Sequence, residues 1–399
     1  MEEKGSRRFG AYLRKLREER RLTLDTIEDL SAVHHDRISK TYLSRCENGR
    51  TLPSFPKLFT LSKIYRTKLT ALAERLQLDV ELDAMPPVDL SATTYDDLAS
   101  RGQEAVRQGN VKAAFLLFNA AWERATLMES DAERLLRESQ ARLALAIALY
   151  RLGRLEMAEE ECKALVSQQG IDATVSRRTL ILLSAIYYDT NRHALARIMI
   201  HEAESRLNGA AAPGAAPSDA RSAADVLSMK GLLELEAGRT DDARAAFEMA
   251  RERYEALHDE FSLCKTFGNL GAAAAAAGQE RHALAHFQRS LEIARGLGYP
   301  YYVAKRLHDM GRLHLDHGRG DQARRLFHES NELSRRGEFH DVTFLNCFYL
   351  WKAALASGDS AGAAMNEKSL RFFAFRIETS LPELEEFKSR LEEGKGDGP

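Results

Sequence analysis

The first eighty residues place apolar side chains in short helical runs. Phe9, Leu13 and Leu16 recur at i, i+4 and i+7 and predict a first helix over about residues 7–20. Thr23 is placed to cap a second helix whose Leu24, Ile27 and Leu30 keep helical spacing. Ser39 caps a third, and Gly49 stands where a left-handed residue ends it. Pro53-Ser54 opens a fourth, with Phe55, Leu58, Leu61, Ile64 and Tyr65 turned inward, and a fifth covers about residues 69–77.

The third helix has a small apolar foot. At about 100° per residue, Leu43 and Cys46 face a core while Thr41, Ser44, Arg45 and Asn48 point away, with Lys40 and Tyr42 on the flanks. A helix held at one edge and showing donors and acceptors outward suits the major groove of DNA, which admits one helix and displays hydrogen-bonding base edges. Its N-terminus also favours a nearby phosphate.

After an acidic, Pro-containing stretch, residues 79–93, a second pattern takes over. A small residue is followed after seven positions by Gly, after five more by Ala, and after four more by a bulky apolar residue. Gly102–Gly109–Ala114–Phe118 is the first instance, followed by Ala146–Gly153–Ala158 and Ser184–Asn191–Ala196–Ile200. Gly231–Gly238–Ala243–Phe247, Gly271–Gly278–Ala283–Phe287 and Gly311–Gly318–Ala323–Phe327 continue it, and Trp351–Gly358–Ala363 closes it with the small residue replaced. Small residues let two backbones approach, Gly turns the chain and the bulky residue plugs the gap. The pattern predicts about seven antiparallel helix pairs over residues 94–377, stacked so that each buries what its neighbour leaves open. Residues 208–218, NGAAAPGAAPS, read as a flexible connection, and residues 378–399 as a capping helix with a disordered tail.

Charge sharpens this division. The net charge of −2 hides a basic head, with 17 Lys and Arg against 11 Asp and Glu in residues 1–80, on an acidic body with 40 against 48. Only the head is expected to meet a polyanion. Cys46, Cys162, Cys264 and Cys347 form no CxxC pair, so neither a zinc knuckle nor a disulfide framework is expected. The N-terminus has no apolar signal-peptide core and no run is long enough to span a membrane, so a cytoplasmic location is expected. His282, His286, His308, His314 and His317 have spacings that can hold zinc, but no Cys or carboxylate pattern accompanies them. No phosphate loop, nucleophile elbow or HExxH occurs. No metal, no cofactor and no catalysis are expected.

The stretch YLSRCENGRTLPS followed by LFTLSKIY resembles the lambda-repressor-like (Xre-type) helix-turn-helix domain over residues 7–78. The resemblance implies binding of double-stranded DNA as a homodimer, with the third helix reading bases. It assigns Lys40, Thr41, Ser44 and Arg45 to the groove, and Asn48, Arg50 and Lys57 to phosphates. It also implies a structural ion pair between Arg17 and Glu47. Two departures stand out. Leu24 occupies a position where members usually carry a phosphate-binding Gln. The stretch SAVHHDRI makes the connection between helices two and three longer; it either lengthens the second helix or forms a loop beside the groove, where His34, His35 and Arg37 would touch the backbone. A tolerated surface insertion is the plainer reading.

The helical body resembles the tetratricopeptide repeat in a longer version. In such a repeat the first helix of each pair lines a groove, which puts Lys265, Asn269, Lys305, Asp309 and Arg312 on its surface. Asn can bond a peptide backbone, and Lys or Arg a carboxylate. The whole is therefore expected to be all-α: a five-helix DNA-binding domain plus an α-solenoid of tetratricopeptide-like pairs. This order resembles the peptide-pheromone regulators of Gram-positive bacteria. It implies a sequence-specific transcriptional regulator whose repeats sense a peptide or protein partner or dimerise. A protein–protein adaptor or scaffold with a weakly DNA-binding or dimerising head is the alternative.

Overall fold

The computed structural model describes residues 5–34, 36–91, 94–207, 217–337, 339–374, 377 and 381–393. His35, most of the 208–218 connection and the last six residues lie outside these. The described residues form twenty α-helices and no strand. They divide into two compact units, Met1–Val175 and Ser176–Pro399.

The first unit opens with α1 (Arg7–Glu19), α2 (Leu24–Ser31), α3 (Lys40–Glu47), α4 (Phe55–Tyr65) and α5 (Leu69–Asp83). Side-chain oxygens of Ser6, Thr23 and Ser39 accept from backbone N–H groups of Phe9, Thr26 and Tyr42, so the first three helices start at capped turns. Phe9, Leu13, Leu16, Ile27, Ile38, Leu43, Cys46, Leu58, Leu61, Tyr65 and Leu72 form one buried core. Two expectations are corrected. Phe55 does not turn inward and is 68% exposed, because it sits in the first turn of α4, before that helix meets the core. The fifth helix does not end near residue 77. Asp79 is buried against Arg75 at 2.7 Å, and Asp83 accepts from the Ser6 hydroxyl at 2.8 Å and pairs with Arg8. The acidic stretch is thus helical for its first turn.

In the same unit α6 (Tyr95–Arg107), α7 (Val111–Ala125), α8 (Asp131–Arg151) and α9 (Leu155–Ser167) form two antiparallel pairs. The five-helix head docks on them through α5, largely by charge. Lys68 pairs with Glu156 at 2.5 Å, and Glu81 receives Arg154 at 2.8 Å and Lys112 at 2.9 Å. The Glu74 carboxylate accepts the backbone N–H groups of Glu156 at 3.2 Å and Met157 at 2.9 Å. It therefore caps α9, whose own N-cap residue, Arg154, makes no side-chain cap bond. The Lys15 ammonium lies 4.0 Å from the Trp122 ring centroid of α7.

The unit boundary falls within α10 (Ala173–Asp189). In the second unit α11 (His193–Ser205) follows α10. It is followed by α12 (Pro217–Glu236) with α13 (Thr240–Ala256) and α14 (Glu260–Ala276) with α15 (Glu280–Gly296). Next come α16 (Pro300–Asp316) with α17 (Gly320–Arg336), α18 (His340–Ser357) with α19 (Ser360–Ala374), and a final helix, α20 (Pro382–Glu393). The small-residue rule has a direct steric basis. A methyl added at Gly231 would stand 2.5 Å from the Phe247 ring, and one at Gly311 2.8 Å from that of Phe327; Gly271 meets Phe287 in the same way. The turn residues Gly238, Gly278, Gly318 and Gly358 have φ between 71° and 76°, where glycine has no Cβ penalty. In the last pair Trp351 replaces the glycine and is buried with Phe348 of its own helix and Phe387 of α20.

Gly271→Ala is expected to cost about 1–3 kcal/mol, because the new methyl displaces a ring that has no room to move. Gly320→Ala, at a helix start with nothing within 4 Å of the added carbon, is expected to be neutral or mildly stabilising. Urea midpoints of the two variants check this.

Candidate nucleic-acid interface and repeat groove

α3 is anchored from behind. Arg17 of α1 donates from Nε to Glu47 at 2.7 Å and from Nη2 at 2.9 Å, and its remaining amine bonds the Leu22 carbonyl at 3.1 Å. Glu47 is buried, so loss of either partner would strand a charge at a cost of about 3–5 kcal/mol. Gly10 allows this approach: a methyl there would stand 2.7 Å from the Glu47 carbonyl oxygen. Leu43 and Cys46 lie in the core, and burial pushes the Cys46 thiol up to about 11.

The opposite side of α3 faces solvent. Lys40, Thr41, Arg45, Asn48 and Arg50 are exposed and Ser44 is half-buried. Lys40 pairs with Asp25 at 2.8 Å. The Asn48 amide donates to the Ser44 carbonyl at 2.7 Å and its oxygen accepts from Arg14 at 2.9 Å. Arg14, which sequence reasoning passed over, thus joins the exposed end of α3. Its place on the polar side of α1, one turn before Arg17, was the available signal.

The described residues of the longer connection form a loop. α2 ends at Ser31, whose buried hydroxyl accepts the Ile38 N–H at 2.9 Å and donates to the Glu28 carbonyl at 2.8 Å, closing the segment between them. Ile38 is fully buried and pins the far end. Arg37 is exposed and reaches Glu28 at 3.4 Å, and its carbonyl accepts from the Lys57 ammonium at 3.1 Å. Lys57 also lies 5.0 Å from the Tyr42 ring centroid. Leu24 packs against the head core, which accounts for an apolar residue at this position.

In the second unit, α12, α14, α16, α18 and α20 pack side by side, so the first helices line one face. Positions 40 apart form rows on it: Lys265 and Lys305; Asn269, Asp309 and Tyr349; Arg312 and Lys352. Lys265 is exposed and lies over the Phe261 ring at 5.8 Å. Asn269 is half-buried and its amide makes no side-chain hydrogen bond among the described residues. Burial alone would raise the Asp309 carboxyl. Arg306 at 3.0 Å and Lys305 at 3.7 Å, with His308 and Arg312 nearby, hold it below the usual carboxylate value. Sequence reasoning missed Arg306, whose guanidinium occupies the space left by Gly268, and missed Tyr349 and Lys352, although the 40-residue register points to both.

Four of the five histidines considered for zinc are engaged by the protein itself. Buried His308 bonds Asn346 through Nδ1 at 2.8 Å, and Asn346 donates to the Ser330 hydroxyl at 2.8 Å. His286 stacks on Phe267, His314 accepts from Arg319 and His317 bonds the Leu313 carbonyl. Among the described residues no three metal-binding side chains converge, and no helix is long and apolar enough to cross a membrane. All four thiols are buried, and burial holds each above its ordinary pKa.

Two family models match the chain. Residues 8–80 are similar to a helix-turn-helix domain and residues 222–296 to a tetratricopeptide repeat. No curated protein matches it. Among solved structures, the chain is similar to the Rap conjugation gene regulator of the plasmid pLS20 in complex with the Phr* peptide. The TM-score is 0.54 at 13% identity, covering 96% of this chain and 97% of that one. It is similar to a Rap protein complexed with Competence and Sporulation Factor at 0.53 and 14%, covering 92% and 96%. Bacillus thuringiensis PlcR in complex with the peptide PapR7 and DNA follows at 0.32 and 16%, covering 85% and 98%. A helix-turn-helix domain followed by tetratricopeptide-type repeats is therefore the architecture of this all-α chain.

Burial depresses the His308 pKa to about 4. Its neutral form is fully accommodated above the unfolded value near 6.5, and stability is lost as pH falls from there toward 4, because the unfolded chain takes up the proton first. The loss amounts to about 2 kcal/mol by pH 5. Urea melts at pH 7 and pH 5 are expected to differ by that much more in the native chain than in His308→Gln.

Proposed function

We propose that the protein is a transcriptional regulator that reads operator DNA with α3 and takes a peptide or protein partner in its repeat groove. The observation that carries this reading is the anchoring of α3. Glu47, Leu43 and Cys46 fix one side of the helix, while Thr41 and Arg45 stand in solvent on the other. Base edges are to be read by Thr41, Ser44, Arg45 and Lys40, the last after leaving Asp25. Asn48, Arg50, Arg37 and Lys57 are assigned to the backbone, with Arg14 supporting Asn48. A homodimer on a two-fold site meets two successive major grooves. On this reading the protein works in the cytoplasm and performs no catalysis. The Phr* peptide in the complex of the Rap conjugation gene regulator supports assigning the groove a similar occupant, with Lys265, Asn269, Lys305, Asp309 and Arg312 as its surface.

One observation favours a protein–protein adaptor: Leu24 is packed against the head core where a phosphate ligand would otherwise sit. Affinity of the full chain for genomic DNA fragments, measured across salt with competitor DNA, separates the two. A regulator gives a steep salt slope and a sequence preference of several kcal/mol; equal, weak binding to every fragment supports the adaptor.

Arg45→Ala is expected to cost about 1–3 kcal/mol and to relax preference at one base pair. Lys57→Ala is expected to weaken all sites alike. Binding of each variant to a library of single-base operator changes checks both; unchanged preference in Arg45→Ala would remove Arg45 from the reading surface.

A further inference from the structure

The C-terminal helix is a chemical guide to the groove. Its apolar side, Leu384 and Phe387, is buried against the last repeat, with Phe387 against Trp351 and Phe344. Its acidic side lies on the groove rows. Glu383 accepts from the Tyr349 hydroxyl at 2.7 Å and lies 3.9 Å from Arg312, and Glu386 pairs with Lys352 at 3.1 Å. The rows continue past the end of this helix. Lys305 is half-buried and shares Asp309 with Arg306, and Lys265, one repeat earlier, has no carboxylate oxygen within 4.0 Å among the described residues, although the Asp225 carboxylate of α12 feels its charge. Beside Lys265, Asn269 offers an amide that makes no side-chain hydrogen bond among the described residues.

We infer that the groove selects an acidic peptide. Its carboxylates would be received by Lys265 and Lys305 as those of Glu383 and Glu386 are received by Tyr349, Arg312 and Lys352, and its backbone would be held by Asn269. From α14 to α18 the rows present four cations, Lys265, Lys305, Arg312 and Lys352, against one carboxylate, Asp309, which Arg306 already offsets; Glu383 and Glu386 of α20 engage Arg312 and Lys352, which leaves Lys265 and Lys305 to a partner. A basic segment would find no match for its charge there, and an uncharged one would leave the ammonium groups in water. Charge of this kind sets the partner and the encounter rate more than the final affinity. The inference rests on the groove having a peptide occupant, as proposed above, and adds its chemistry.

The test uses the full chain and fluorescein-labelled Leu-Pro-Glu-Leu-Glu-Glu-Phe, the sequence of residues 381–387, beside the same peptide with Lys or Gln in place of each Glu. Anisotropy is expected to show binding of the acidic peptide, weakened at least tenfold by 0.5 M salt and at least tenfold by either substitution. Lys265→Gln with Lys305→Gln, both on the solvent side of their helices, is expected to weaken it at least tenfold with an unchanged thermal melt. Should that pair disturb the melt, Lys265→Gln alone carries the test, with a loss of at least threefold. Equal or tighter binding of the Lys or Gln peptide, unchanged binding by the variants, displacement by non-operator DNA, or no binding of the acidic peptide up to millimolar concentration would each overturn the inference. Operator affinity measured in parallel keeps it distinct from the regulator reading. Acidic-peptide binding that leaves operator affinity unchanged counts against regulation alone, and retained operator reading without acidic selectivity counts against this inference alone.

Discussion

The packing of the glycine-bearing helix pairs depends on one steric fact: a phenylalanine ring lies where a glycine leaves no side chain. Phe247, Phe287 and Phe327 fill the space opposite Gly231, Gly271 and Gly311. With that contact fixed, the axial position of the second helix against the first is fixed too. Every first helix then presents the same positions to the same side, which is how residues 40 apart come to lie in rows. The hydroxyls of Ser290 and Ser330 repeat the constraint in polar form, donating to the carbonyls of Cys264 and Ala304 at 2.6 and 2.7 Å. Dispersion and excluded volume set the register, and the groove's charge pattern follows from it.

The head solves a different problem. A helix that must offer polar side chains to a partner has little apolar surface with which to hold itself. α3 has two core residues, so its position depends on the buried Arg17–Glu47 pair and on the close approach of α1 at Gly10. Directional bonds substitute here for area. A two-pronged guanidinium–carboxylate contact fixes orientation as well as distance, which a leucine in the same place would not do.

Much of this was legible from residue order. Capping residues Ser39 and Thr23, the turn glycines and the Gly–Phe spacing each have a local cause, and local causes survive in a one-dimensional pattern. What escaped was non-local. Phe55 keeps helical spacing with Leu58, yet it lies before the point where α4 meets its neighbours, and spacing does not record where a neighbour ends. The run containing Asp79 and Asp83 has a solvent-like composition; its helical state comes from Arg75, Ser6 and Arg8, two of them more than seventy residues away in the chain. For the longer connection, two outcomes were equally open until Ser31 was seen to close on Ile38. In the groove, Tyr349 and Lys352 were readable by adding 40 to Asp309 and Arg312, whereas the approach of Glu383 depends on how a separate helix folds back.

Glu74 lends its carboxylate to a helix more than eighty residues further along. Ordinarily the residue that starts a helix belongs to the same stretch of chain, and a domain can be exchanged between proteins without disturbing its neighbour. Here the exchange would strip two amide groups of their acceptor and leave α9 to fray from its first turn. Lineages that swap the head for another would have to restore a carboxylate at that spot or supply a new Ser, Thr or Asp beside Leu155. The junction therefore carries an inheritance constraint of its own, separate from anything the head binds.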